Sequence, residues 1–165
     1  MTELPEPVQR VAAFLFEQKA EARIEEFSGG TPTAEDAARA AGCELDQIVK
    51  SLVFLCDDRP VLVMVPGDRR ADRSKIAAEV RCRRAKVAGP EDVLRVTGFE
   101  AGGVAPFPLP RIDLVLLDAR LLAHPFVWVG AGTSSHMAVL APTDLARLTH
   151  ARSLDLVEQS DNVPG

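Results

Sequence analysis

Two apolar runs separated by four residues constrain the fold of this chain more than any other feature. The first is IVKSLVFLC at residues 48–56, DDRP follows it, and the second is VLVMV at 61–65. Both runs have the length and the β-branched content of strands, and Pro66-Gly67-Asp68 ends the second. Parallel neighbours need a crossover of a dozen or more residues, so this short connection predicts an antiparallel hairpin.

Local signals predict the remaining elements. Apolar spacing predicts an amphipathic first helix over 7–27, and Thr33 with Asp36 three residues later predicts a capped short helix that ends at Gly42. Asp72 is placed to cap a helix over 73–80. The other predicted elements are a helix after Gly89 with Val93, Leu94 and Val96 inward, strands at 112–118, 126–129, 136–141 and 154–157, and a helix opened by Pro142.

Intermixed helices and strands, with strand pairs too closely linked for crossovers, predict a mixed α/β fold of the α+β kind rather than a doubly wound one. We expect a single domain with a curved, mostly antiparallel mixed sheet flanked by helices. Residues 1–30 are expected to form a helix that packs on the domain, residues 31–158 the domain itself, and residues 159–165 a tail.

Composition narrows the class of protein. The chain has 165 residues, of which 47% are hydrophobic, and this favours one globular domain. It has no apolar run of membrane-spanning length and no signal-peptide pattern at its start, so we expect a cytoplasmic protein with no membrane partner. Cys43, Cys56 and Cys82 stand far apart, which argues against a disulfide framework and against a zinc site.

Charge is unevenly distributed along the chain. Residues 69–86, called the basic segment from here on, hold eight basic residues against Asp72 and Glu79, a local charge of +6 in a chain of net charge −5. Such a patch fits either a phosphate backbone or an ordinary solvated helix face. Its candidate phosphate contacts are Arg69, Arg70, Arg73 and Lys75.

Lys50 interrupts the first apolar run. A lysine is almost never fully buried without a partner, so Lys50 is either a surface residue on a half-buried strand or a charge at the wall of a pocket. Periodicity alone leaves both interpretations open.

Two glycine loops could bring bare backbone close to a ligand. The first spans Gly102 to Pro106 and the second spans Gly130 to Gly132. Their main-chain N–H groups could stabilise an oxyanion or hold a phosphate, although tight turns need the same residues. A dinucleotide fingerprint is disfavoured because Ser135 occupies the third glycine position and a strand-like run follows. Ser135 and His136 are neighbours on an extended chain, so they are not expected to act as nucleophile and base.

Five segments, taken in order along the chain, resemble the YbaK family, the prolyl-tRNA synthetase-associated editing domain. They are VKSLVF, PGDRRADRSKIAAEV, TGFEAGGVAPF, IDLVLLD and VWVGAGTSS…LAPTDLARLT. The resemblance runs from about Thr33 to Val157. It implies a curved sheet that encloses a pocket and an aminoacyl-tRNA deacylase activity that removes a wrong amino acid from the tRNA 3′ end.

The resemblance also assigns residues. Lys50 matches the essential lysine of the family, and the two glycine loops match its substrate-binding loops, here Gly102, Gly103, Val104, Ala105 and Pro106, and Gly130, Ala131 and Gly132. It implies no metal or organic cofactor and no DNA partner. It implies a free-standing editor acting in trans, with an aminoacyl-tRNA synthetase as a potential partner.

Some features of the family pattern are absent. The cysteine-specific subgroup carries basic residues after the second glycine loop, whereas this chain has Thr133 and Ser134 there. Phe107 follows Pro106, as in several other subgroups, and both features argue against the cysteine-specific subgroup. The amino acid removed therefore stays open among alanine, cysteine, serine, threonine and non-protein analogues. A catalytically silent module that binds tRNA or a small ligand is the alternative function.

Overall fold

The computed structural model describes residues 3–159, and within them the mixed α/β class predicted from the sequence is confirmed. The strands form two sheets, where the sequence predicted one. A parallel bridge between Ile48 and Trp128 connects the two sheets.

The larger sheet contains the predicted hairpin. Strand β2 (Val49–Cys56) pairs antiparallel with β3 (Arg59–Pro66) in a register that sets Lys50 opposite Val65. A short strand, β4 (Ala85–Val87), pairs antiparallel with the other edge of β2. Strands β5 (Val115–Asp118) and β8 (Arg152–Leu154) extend the sheet beyond β3 in parallel, giving the order β4-β2-β3-β5-β8.

The smaller sheet has the antiparallel order β1-β7-β6, with β1 at Ala22–Glu26, β6 at Val127–Gly130 and β7 at His136–Leu140. Its central strand β7 pairs with β1 on one side and with β6 on the other. The N-terminal segment therefore contributes a strand to this sheet in addition to a helix.

Within residues 3–159, five α-helices cover the sheets, and their ends follow the sequence signals. They are α1 (Glu6–Glu17), α2 (Ala34–Ala41), α3 (Arg73–Val80), α4 (Pro90–Thr97) and α5 (Pro142–Thr149). As predicted, Thr33 Oγ1 accepts the Asp36 N–H at the start of α2, and Gly42 ends that helix in the left-handed region. The Asp72 carboxylate accepts the N–H groups of Ser74 and Lys75 at the start of α3.

Three predictions about individual elements were wrong. The helix predicted over 7–27 ends at Glu17, because residues 22–26 pair with β7 and form a strand instead. Leu94 points outward and is 49% exposed, whereas Val93 and Val96 are buried as predicted. The last strand is β8 at Arg152–Leu154 rather than 154–157. Most of the predicted tail, residues 160–165, lies outside the described residues.

The main core lies between the two sheets. The face of β2 that carries Val49 and Val53 packs in this core together with Val129 of the smaller sheet. The opposite face of β2, which carries Phe54, packs against Ile76 of α3. None of the helices in the described part of the chain is long and apolar enough to cross a membrane.

Candidate active site

A cavity of about 270 Å³ opens where the two sheets meet. The start of β2 forms one wall, the two glycine loops form another, and the segment before α2 closes the third side. Its lining residues are Thr31, Pro32, Thr33, Ala34, Ala37, Ile48, Val49, Lys50, Ser51, Leu52, Gly102, Val104, Gly130, Thr133, His136 and Met137. The structure therefore brings Lys50 together with parts of both glycine loops.

Lys50 lies half-buried at the wall of this cavity. Its Nζ donates a hydrogen bond of 2.7 Å to the main-chain oxygen of Arg69. Burial lowers the pKa of the Lys50 ammonium and Arg70 lowers it further, while Glu35 and Asp68 oppose the shift. An ammonium has three N–H donors, so two remain after the bond to Arg69.

The glycine loops press backbone against backbone. A Cβ added at Gly130 would overlap the carbonyl oxygen of Val104, and a Cβ at Gly103 would lie 2.8 Å from the Cα of Thr133. Gly132 has φ +115° and packs on Pro7, whose carbonyl carbon would lie 2.8 Å from an added Cβ. These positions need glycine because the two loops and the start of α1 approach too closely for a side chain.

Only some of the loop N–H groups are available to a ligand. The Gly103 N–H donates to the Glu100 carbonyl and the Gly132 N–H donates to the Gly103 carbonyl, both at 3.0 Å. Within residues 3–159, the N–H groups of Gly102 and Val104 have no acceptor, and both residues line the cavity. These two donors can stabilise negative charge that develops on a ligand next to Lys50.

Of the eight predicted loop residues, five do not line this cavity: Gly103, Ala105, Pro106, Ala131 and Gly132. Gly103 and Gly132 line a different cavity. Ala105, Pro106 and Ala131 are buried in the packing behind the loops. Pro106 lines a separate apolar cavity beside Phe14 and Phe107. These three residues support the loop backbone rather than facing the space beside Lys50.

The four predicted phosphate contacts divide into two groups. Arg69, Arg70 and Arg73 line a groove of about 620 Å³ that Lys50 also lines, so the groove adjoins the small cavity. Lys75 instead donates 2.9 Å to Asp155 and 2.6 Å to the main-chain oxygen of Val157. Lys75 is therefore occupied by the protein itself.

Sequence reasoning did not assign four polar residues that line the cavity, namely Thr31, Ser51, Thr133 and His136. His136 is 5% exposed, its Nδ1 lies 2.6 Å from the Thr133 hydroxyl, and its Nε2 lies 3.5 Å from Glu26. Among the described residues, Ser51 Oγ and His136 Nε2 are buried without a hydrogen-bond partner. The Thr-x-x-His spacing in TSSH is the only local signal for the contact between Thr133 and His136, and it is a weak one.

Comparison with known proteins identifies the family of the chain. Residues 29–148 match the family described as the aminoacyl-tRNA editing domain. A solved structure described as a "putative trans-editing enzyme for prolyl tRNA synthetase" resembles this one with a TM-score of 0.88 at 36% identity, covering 95% of this chain and 100% of the other.

Two relatives differ in how much of their own length this chain covers. YwhH of Bacillus subtilis, described as uncharacterized, is 32% identical over 130 residues, which is 78% of this chain and 82% of YwhH. A proline--tRNA ligase of Lactobacillus helveticus is 30% identical over 107 residues, which is 65% of this chain. This chain spans 19% of that ligase, about a fifth of its length. The resemblance predicted from the sequence is confirmed: this chain belongs to the aminoacyl-tRNA editing domain family.

Proposed function

We propose that this chain hydrolyses the ester bond of mischarged aminoacyl-tRNA, acting in trans and releasing a small wrong amino acid. The substrate is tRNA-Pro or a related tRNA, in line with the similarity to proline--tRNA ligases and to the trans-editing structure. One observation carries the proposal. Lys50, Gly102 and Val104 line the same small cavity, and the N–H groups of Gly102 and Val104 have no acceptor within residues 3–159.

These groups suit ester hydrolysis. Water adds to the ester carbonyl carbon, and the carbonyl oxygen becomes a tetrahedral oxyanion that accepts hydrogen bonds from Gly102, Val104 and Lys50. Collapse of the intermediate breaks the bond to the ribose oxygen, which leaves as a hydroxyl after taking up a proton. An aminoacyl ester is already activated, so orientation and oxyanion stabilisation are the main requirements. A hydroxyl of the terminal adenosine assists the water in place of a protein base.

Small apolar side chains line part of the cavity. Ala34 and Ala37 of α2 and Val49 of β2 contribute to a cavity of about 270 Å³. One methylene in an apolar pocket discriminates by only about 1–3 kcal/mol, so a synthetase that accepts smaller analogues needs a second hydrolytic site. Removal of such a small wrong amino acid is the activity proposed here.

The groove beside the cavity suits the RNA. Arg69, Arg70 and Arg73 line it next to Lys50, and guanidinium groups bind phosphate with paired hydrogen bonds. We propose that these three arginines hold phosphates near the tRNA 3′ end. Lys75 could join them only by breaking its bonds to Asp155 and Val157.

A panel of mischarged tRNAs tests the proposal directly. The wild type is expected to release amino acid from at least one tRNA that carries a small wrong residue. Lys50→Ala is expected to lower kcat by about 10²–10³, the usual cost of removing one oxyanion donor. Lys19→Gln is the matched control, because Lys19 is exposed and lies away from the cavity.

Two results would contradict the proposal. If the wild type releases no amino acid from any tRNA in the panel, the chain is not a deacylase of this kind. Binding of tRNA without release would identify a silent binding module instead. If Lys50→Ala and Lys19→Gln are equally active, Lys50 has no catalytic part.

A further inference from the structure

We propose that the C-terminal strap, defined as Asp155–Glu158, positions Lys50 for catalysis through the loop Arg69–Asp72. The inference rests on the proposed function, in which Lys50 acts on the ester. It assigns to the strap a part that neither the family match nor the sequence pattern assigns, since the match covers residues 29–148.

The strap and the loop are joined along their backbones. The Asp72 N–H donates 2.7 Å to the Leu156 carbonyl, and the Glu158 N–H donates 2.8 Å to the Arg70 carbonyl. The Arg69 guanidinium also donates 3.2 Å to the main-chain oxygen of Glu158. The loop is therefore paired with the strap as if it were a short strand, although it contains no regular strand of its own.

Side chains anchor the strap on the opposite side. Lys75 of α3 donates to Asp155 and to the Val157 carbonyl, and Arg120 lies 3.1 Å from the other oxygen of Asp155. Leu156 and Val157 are completely buried in the core beneath α3. The strap is thus tied both to the core and to α3, and it can hold the loop at a fixed height above the sheet.

The loop contacts Lys50 through one hydrogen bond, at the carbonyl oxygen of Arg69. The Arg69 carbonyl accepts the 2.7 Å bond from Lys50 Nζ, and the Arg69 N–H is held by the Pro66 carbonyl at 3.0 Å. Rotation of the Arg69 peptide would leave the ammonium without this acceptor. Displacing a catalytic group by about 1 Å can lower the reaction rate about 10²-fold, so the orientation of the Arg69 carbonyl affects kcat.

The charge state of Lys50 depends on the same atom. The charged groups that face Lys50 are Glu35 of α2, and Asp68 and Arg70 in the segment that follows β3. Because the Arg69 carbonyl accepts from the ammonium, it favours the charged form. A loosened loop therefore leaves Lys50 with a lower pKa, and the basic limb of the kcat profile moves to lower pH.

Two substitutions loosen the strap without touching the cavity. Asp155→Ala and Lys75→Met each remove the same ion pair, and Asp113→Ala is the control because it removes an exposed pair with Arg59 elsewhere. We expect each strap variant to lower kcat about 10-fold, with KM and tRNA affinity unchanged. The double variant should lose less than the sum of the two single losses, because the Lys75–Asp155 ion pair is common to both, whereas the bonds to Val157 and Arg120 are not shared. Lys75→Arg should restore most of the rate.

A labelling experiment tests the inference without any turnover. An N-hydroxysuccinimide acetate reagent acylates neutral amines, and peptide mass spectrometry reports the rate at each lysine. Acetylation of Lys50, measured against Lys19 in the same molecule, is expected to be several-fold faster in both strap variants than in the wild type and the control. Circular dichroism establishes that the variants are folded.

The outcomes separate the two proposals. If the wild type is inactive on every tRNA but the strap variants label faster at Lys50, the proposed function fails and the structural link between strap and Lys50 stands. If folded strap variants match the wild type in kcat, pH profile and Lys50 labelling, the strap does not position Lys50. A rise in tRNA Kd for Lys75→Met alone would identify Lys75 as an RNA contact and would also overturn the inference.

Discussion

Replacing Gly130 by alanine tests how the two glycine loops build the cavity. The added Cβ would lie 3.2 Å from the carbonyl carbon of Val104 and still closer to its oxygen. Carbon atoms in contact sit about 3.5–4.0 Å apart, so the Val104 carbonyl, which shares a peptide group with the Ala105 N–H, must retreat by roughly 0.5–1 Å. The Val104 N–H lies in the preceding peptide group and has no acceptor within residues 3–159, and the shift of the Val104 Cα moves this donor as well.

The displacement has two separable effects. Forcing an extra carbon into a packed site costs about 1–3 kcal/mol of stability, which lowers Tm by about 2–12 °C for a chain of this length. Moving an oxyanion donor by roughly this distance lowers kcat by about 10²-fold. Affinity for tRNA should stay near that of the wild type, because the arginine-lined groove is not disturbed.

The assay is single-turnover release of amino acid from the best substrate of the panel, with Tm measured on the same preparation. Gly29→Ala is the matched control, because nothing lies within 4 Å of its added Cβ and its φ is not in the left-handed region. If folded Gly130→Ala keeps the kcat of Gly29→Ala, the Val104 N–H does not stabilise the oxyanion, and the assignment of the donors is wrong.

Two further predictions concern carboxylates of the basic segment and of the strap. The bond from Lys75, with further help from Arg120, lowers the pKa of Asp155 to about 2. The ionised Asp155 therefore stabilises the fold fully above the unfolded pKa of about 3.9, and this stabilisation is lost as pH falls through about 2. In urea melts across this window, the free energy of unfolding of Asp155→Asn should fall less steeply with decreasing pH than that of the wild type. Asp72→Ala removes the cap of α3 and should cost about 1 kcal/mol of stability, or about 2–4 °C in Tm. The control is Asp68→Ala, which removes no helix cap and should leave Tm unchanged. Equal Tm values for the two variants would show that the cap contributes no stability.

Features set by neighbouring residues were predictable from the sequence. The caps at Thr33 and Asp72 and the stop at Gly42 depend on contacts within three or four residues, and the structure has all three. The hairpin of β2 and β3 follows from its short connection in the same way. The membership of the family was predictable because several short motifs occur in a fixed order.

Features set by distant residues were not predictable. The segment at Ala22–Glu26 carries spacing compatible with the preceding helix, and it becomes a strand only because β7, more than a hundred residues away, offers a free edge. The overlap that excludes a side chain at Gly130 comes from Val104. In both cases the partner is distant along the chain, so no local pattern signals it.

The same limit applies to charge. The sequence shows eight basic residues between Arg69 and Lys86, and net charge cannot separate those that face solvent from those already paired. In the structure, Arg69, Arg70 and Arg73 line the groove beside Lys50, although Arg69 also donates to the Glu158 carbonyl and Arg70 lies 3.6 Å from the Glu158 carboxylate. Lys75 lies outside the groove and is bound to Asp155 and Val157.

This separation changes how the basic segment can serve the cavity. A lysine bound to Asp155 and to a carbonyl loses those bonds if it turns to a phosphate, so its net contribution to RNA binding is small. The same bonds tie the strap to α3, and the strap holds the carbonyl of Arg69 on Lys50. The basic segment therefore combines two tasks, in which Arg69, Arg70 and Arg73 line the groove proposed for the RNA and Lys75 secures the backbone that positions the Lys50 ammonium.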